Sequence, residues 1–195
     1  MNPDIRDELL SVIGRYVHFT STIKPFTSPS ATAQYMLLAR SCNAFSAAVS
    51  LCLNGYFVES YNSARVGLET GWLSLVLRRN AEKALEWLTL VPSDTSMEAA
   101  EKRYRETFGS PAWIRKEVSP DGKEQRDNLY EILSKKSHAN VAATFFVCST
   151  ANDPNDLCLY GPGPLDSEEH RHKHLRGISY CLRSLLSDVQ AQCGI

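Results

Sequence analysis

Apolar residues recur at intervals of three and four along most of this chain, and short polar or proline-rich breaks separate the runs. That period is the mark of helices with one face turned to a core. Ile5, Leu9, Val12, Tyr16 and Phe19 form the first run, behind Asn2-Pro3, a capping residue followed by a proline suited to the first helical position. The pattern predicts a helix that fades between Thr20 and Lys24. Pro25 to Pro29 reads as a connector, in which Ser28-Pro29 repeats the cap-then-proline signal and opens a second helix reaching about Leu53. Asn54-Gly55 stops it. Its apolar side is broad: Leu38, Cys42, Phe45, Val49 and Leu53 make the centre, and Leu37, Ala44, Ala48 and Leu51 spread beyond it. A helix so apolar needs cover from several sides.

A third helix is predicted within Asn54 to Asn80, where Phe57, Tyr61, Ala64, Leu68, Trp72 and Leu75 fall in one stripe. Only a few residues connect it to the second helix, so the two are expected to fold back as an antiparallel hairpin and form the nucleus of the fold. Gly67 and Gly71 lie inside this helix, each at a cost of about 1 kcal/mol relative to alanine, and predict close approach of another backbone.

Beyond Asn80, a short helix is predicted over Ala81 to Thr89, closed by Pro92. Ser93 to Ser96 offers caps for a charged helix that Gly109 ends, and Ser110-Pro111 opens another short one through Trp113 and Ile114. Ser119-Pro120-Asp121-Gly122 is a turn by composition. Residues 1–80 hold seven Lys/Arg and five Asp/Glu, whereas 81–140 hold ten and eleven. The first part is therefore expected to supply most of the buried helices, with residues 81–122 as a charged helical arm. From Lys123 a helix runs through Leu129, Tyr130 and Leu133 toward His138. Ala142 to Thr150 and Leu157 to Tyr160 are β-leaning runs on either side of a turn-rich ANDPND, which suggests a small β-hairpin near residues 145–160, with helix as the alternative for the first run. Gly161-Pro162-Gly163-Pro164 breaks regular structure. Asp166 and Glu169 form a capping pair for a last helix whose core stripe is Leu175, Ile178, Leu182, Leu185 and Val189. The expectation is an all-α bundle of five or more helices in a single domain over residues 1–195, without internal repeats.

A net charge of -1 argues against a strong general attraction to nucleic acid or anionic membrane, leaving room only for a local basic patch. Six cysteines show neither a CxxC pair nor zinc-like spacing, and the first residues lack a basic head followed by an apolar run, so a cytoplasmic protein with reduced thiols is expected. Cys42 and Cys52 are read as small core residues. Ser41 to Val58 carries no charge, but Ser41, Asn43, Ser46, Ser50, Asn54 and Gly55 make it too polar for a lipid-facing span, and no membrane partner is expected.

Two constellations could carry chemistry. Arg65 and Glu69 stand one turn apart on the shoulder of the third helix's apolar stripe, where charge is costly unless it is paired. Tyr130, Ser134 and His138 are spaced by four along one side of their helix and could complete a polar cluster with that pair. Within it His138 is the candidate acid or base, Glu69 its tuning carboxylate and Arg65 the group to stabilise charge on a phosphate. The second is Asp166, His170 and His174, one turn apart and able to share a face as metal ligands. Arg171, Lys173 and Arg176 would repel a cation there, so structural histidines, no metal and no cofactor are expected. Motifs of the types GxxxxGK[ST], GxGxxG and GxSxG are absent.

The run NGYFVESYNSARVGLE followed by LYEILSKKSHAN resembles a family of bacterial helical proteins classed as a domain of unknown function. There an Arg-x-x-x-Glu helix is followed by a Tyr-x-x-x-Ser-x-x-x-His helix, matched here by Arg65, Glu69, Tyr130, Ser134 and His138. The resemblance covers roughly Leu38 to Asn140. More distantly, the hairpin is similar to HEPN domains, helical bundles of toxin-antitoxin, phage-defence and RNA-processing systems, many of them metal-independent endoribonucleases using an Arg and a His four to six residues apart. Glu131, Ile132 and Leu133 occupy the places where that Arg would stand, so Arg65 or Arg126 could replace it only through space. The resemblance implies a bacterial stress or defence setting, with RNA, a protein or a second copy of the chain as partner. The leading expectation is a noncatalytic binding or interaction domain. Its rival is an endoribonuclease using His138 and Arg65.

Overall fold

A computed structural model describes residues 3–90, 97–108, 111–119, 121–137 and 168–193. Among them are eight helices and no strand: α1 (Pro3–Thr22), α2 (Pro29–Leu53), α3 (Phe57–Arg78), α4 (Ala81–Thr89), α5 (Met97–Phe108), α6 (Pro111–Val118), α7 (Lys123–Ser137) and α8 (Glu168–Cys193). The hairpin expected near residues 145–160 lies outside the described residues.

Local chemistry sets the helix ends. The Ser28 hydroxyl accepts the Ala31 amide at the start of α2, with Pro29 at the first helical position. Gly55, with φ of 84°, takes the left-handed conformation that ends α2 and lets the chain reverse. Asn80 caps α4 by accepting from the Lys83 amide.

The hairpin of α2 and α3 carries the most extensive contact in the fold. Its antiparallel register can be followed along the pair. Ser41 donates to the Gly67 carbonyl at 2.6 Å, Phe45 covers Gly67, and farther down Cys52 lies near Tyr61. Around this pair, α1 and α8 close one side, α4 packs on α2, and α6 and α7 pack on α3. Helix α8 runs parallel to α3, since Tyr61 meets His174, Gly71 meets Leu185 and Trp72 meets Asp188. Residues 71–77 of α3 are all buried, as a helix covered on several sides requires. Among the described residues between 81 and 122, α4 and α6 pack on the hairpin, and Ala84, Leu90, Phe108, Ile114 and Val118 all join the core.

Helix α2 is long and apolar enough, by length and composition, to cross a bilayer; here Ala33, Leu37, Leu38, Phe45, Ala48 and Cys52 form its buried face.

Gly67 and Gly71 do mark close approach, but by side chains rather than a backbone. A Cβ on Gly67 would lie 2.7 Å from the Phe45 ring, and one on Gly71 would overlap the Leu185 methyl groups. A rigid ring cannot retreat as a leucine can. Gly67→Ala should therefore lose stability by roughly 1–3 kcal/mol of overpacking, set against about 1 kcal/mol gained in helix propensity. Gly14→Ala, on exposed helix with nothing within 4 Å of the new methyl, should gain most of that propensity. Thermal melts of the two variants should move in opposite directions.

Candidate functional site

Helix α7 packs antiparallel against α3, and this places Tyr130 beside Glu69. Arg65 and Glu69 form the pair expected from their spacing, at 3.8 Å between Nε and Oε1, with side chains 20% and 29% exposed. Burial raises the Glu69 carboxyl above the ordinary glutamate range, and the opposing pulls of Arg65, the approaching Tyr130 phenol and Arg115 reduce that shift without cancelling it. Tyr130 is itself pushed upward by burial and then by the Glu69 charge. The Ser134 hydroxyl is close enough to hold the Tyr130 phenol down somewhat, yet it completes no hydrogen bond among the described residues.

Arg115, on α6, had no place in the sequence-derived cluster. Its Nε donates to Asp127 Oδ1 at 2.6 Å, and its guanidinium lies 4.1 Å over the Tyr130 ring. Asp127 also accepts from Lys123, one turn earlier on α7. Hydrogen bonds from Arg115 and Lys123 hold its carboxyl below the usual aspartate range. From α5, Tyr104 comes within reach of the Glu69 charge; its phenol is raised by burial first and by Glu69 second. The resulting seam joins α3, α6 and α7, with α5 at its edge. Arg65, Glu69, Tyr130 and Ser134 meet in it, and His138 lies outside the described residues.

Of the second sequence-derived group, only His174 has a described side chain. Asp166 lies outside the described residues, as does the side chain of His170. His174 is buried, 2% exposed, in the seam between α3 and α8. Its Nδ1 is 2.5 Å from the Tyr61 hydroxyl, and its ring stacks on Phe57 with centroids 4.3 Å apart. Among the described residues no three His, Cys, Asp or Glu side chains could together hold a metal ion. Nearby, burial pushes the Cys52 thiol up to about 12, well away from a reactive thiolate.

A third polar group is structural. Arg126 is 2% exposed, and its guanidinium is shared among four acceptors. Nη1 meets Asp188 Oδ1 at 2.9 Å, Nε meets the Arg115 carbonyl at 3.1 Å, and Nη2 donates to the Asp121 carbonyl at 2.9 Å and to the Ser119 carbonyl. Trp72 Nε1 donates to the other Asp188 oxygen at 3.0 Å. Burial holds the Asp188 carboxyl above its ordinary range even so. Arg126 thus ties α7 to α8 and to the turn before it, where Gly122 has φ of 74° and sits against the guanidinium. Four of its five N–H donors are thus committed to this junction, away from the Arg65–Glu69 pair.

No known protein family, curated protein or solved structure matches the chain.

Proposed function

We propose that this chain is a noncatalytic binding domain whose recognition site is the seam of α3, α6 and α7. One observation carries the reading. The ionisable side chains described there engage one another, Arg65 with Glu69 and Arg115 with Asp127, so the charges that meet in the seam are already paired. Such a set can orient and hold a partner without driving bond cleavage. The resemblance to helical proteins of bacterial defence systems supports RNA or protein as the partner class.

The rival reading is a metal-independent endoribonuclease using Arg65 and His138. It draws on the placement of Tyr130 beside Glu69 on α3, because α7 continues toward His138 from there. Incubating the full chain with mixed RNA in EDTA separates the two. The expected result is no cleavage beyond that of His138→Ala. Cleavage abolished by His138→Ala would overturn the noncatalytic reading. Arg65→Ala is expected to act on the fold, lowering Tm by about 2–4 °C for about 1 kcal/mol lost.

A further inference from the structure

The Arg115 side chain is only partly used. The residue is 9% exposed, its Nε serves Asp127 and its plane covers Tyr130, yet Nη1 is a buried donor with no acceptor among the described residues. A buried donor left unmatched costs roughly 1–3 kcal/mol, more when it is charged. The Ser134 hydroxyl is in the same condition, and it stands one turn beyond Tyr130, the residue over which Arg115 lies. Two unmet hydrogen-bonding groups from different helices thus flank one tyrosine.

The charges around them point to the kind of group they would take. Arg65 from α3 and Arg115 from α6 both act on Glu69, with the Tyr130 phenol approaching it as well. Two guanidinium groups, a phenol and a serine hydroxyl are the donors that recognise a tetrahedral oxyanion. The Arg65 and Glu69 side chains keep 20% and 29% of their surface exposed, so solvent reaches this pair.

We infer that the seam binds a phosphate-type oxyanion, held by Arg115, Arg65, Tyr130 and Ser134, with Glu69 as the internal carboxylate it must displace or neutralise. The inference rests on the binding-domain reading above and names its ligand chemistry. An incoming anion is repelled by an ionised Glu69, so binding is coupled to proton uptake there. The other titratable and charged groups facing Glu69 are Arg65, Arg115, Tyr130 and Tyr104, with Asp127 and Lys123 behind Arg115. Burial already favours the protonated carboxyl.

Sulfate is the probe, because its charge is constant between about pH 5 and 8 while a glutamate's is not. Calorimetric titration of the full chain should show saturable sulfate binding that tightens as pH falls over that interval. Glu69→Gln, which mimics the protonated carboxyl, should bind about tenfold more tightly at neutral pH and lose the pH dependence. Arg115→Lys keeps a cation facing Asp127 but removes Nη1, and should weaken binding about tenfold. Should that variant not fold, Ser134→Ala takes its place, with a several-fold loss expected.

Competition assigns the source. Displacement by a short RNA indicates a nucleic-acid backbone, and displacement by inorganic phosphate alone indicates a small phosphate-bearing ligand; both support the site. No sulfate binding in either the parent or Glu69→Gln, or equal binding in parent, Arg115→Lys and Ser134→Ala, overturns it. Absent sulfate binding with no RNA cleavage sinks this inference alone, whereas RNA cleavage lost in His138→Ala sinks the noncatalytic reading alone.

Discussion

Arg126→Met is expected to lower the free energy of unfolding by roughly 3–5 kcal/mol, read as a shift in the midpoint of urea denaturation. The methionine fills much of the volume but supplies no donors. Asp188 then remains in its half-buried place without its cation, and the carbonyls of Arg115, Ser119 and Asp121 lose the guanidinium they share. Substituting Asp188 as well should recover only part of the loss, because those three carbonyls stay unmatched.

The deficit should depend on pH in a stated direction. A carboxyl whose pKa is raised in the folded state gives its stability below the ordinary aspartate range and loses it as pH rises through the raised value. Without Arg126 the folded pKa of Asp188 climbs further. The difference between variant and parent should therefore be largest at neutral pH and shrink as pH falls toward about 4. A deficit constant with pH would show that Asp188 is not the group left stranded.

Trp72→Ala should cost a similar amount, roughly 3–5 kcal/mol, through the cavity left by a side chain with no exposed surface in the centre of the hairpin. Trp72→Phe keeps most of that apolar volume and loses only the indole donor to Asp188, so its cost should be nearer 1–2 kcal/mol. Denaturation of the pair separates packing from hydrogen bonding. Equal losses would mean that the indole N–H, rather than the ring, accounts for the residue's role.

The helices were legible because their signals are local. Ser28-Pro29, Asn54-Gly55 and the stripe from Phe57 to Leu75 act within a turn or two of their own backbone, and the observed ends of α2 and α4 follow their capping residues. Spacing by four also brought Tyr130 and Ser134 to one side of α7, which is the side facing Glu69. Arg115 and Arg126 were not legible as buried. Each lies in a short charged segment whose pattern reads as solvated, and their partners are set by tertiary closure. Asp188 is 62 positions beyond Arg126, and no periodicity reaches that far. Gly67 and Gly71 announced crowding, but the expected backbone proved to be side chains, since a missing Cβ admits a ring or a methyl as readily. His174 shows the same limit. The charges beside it made a structural histidine the expectation, but its partners, Tyr61 and Phe57 on another helix, are set by tertiary packing.

The contact between the first and last helices has its own consequence. Glu8 accepts from Ser179 at 2.6 Å across 171 positions of sequence, and Arg183 reaches the same carboxylate at 3.2 Å. During synthesis α1 is thus made long before α8, and the part of its apolar face that α8 covers stays wet until that distant helix has emerged.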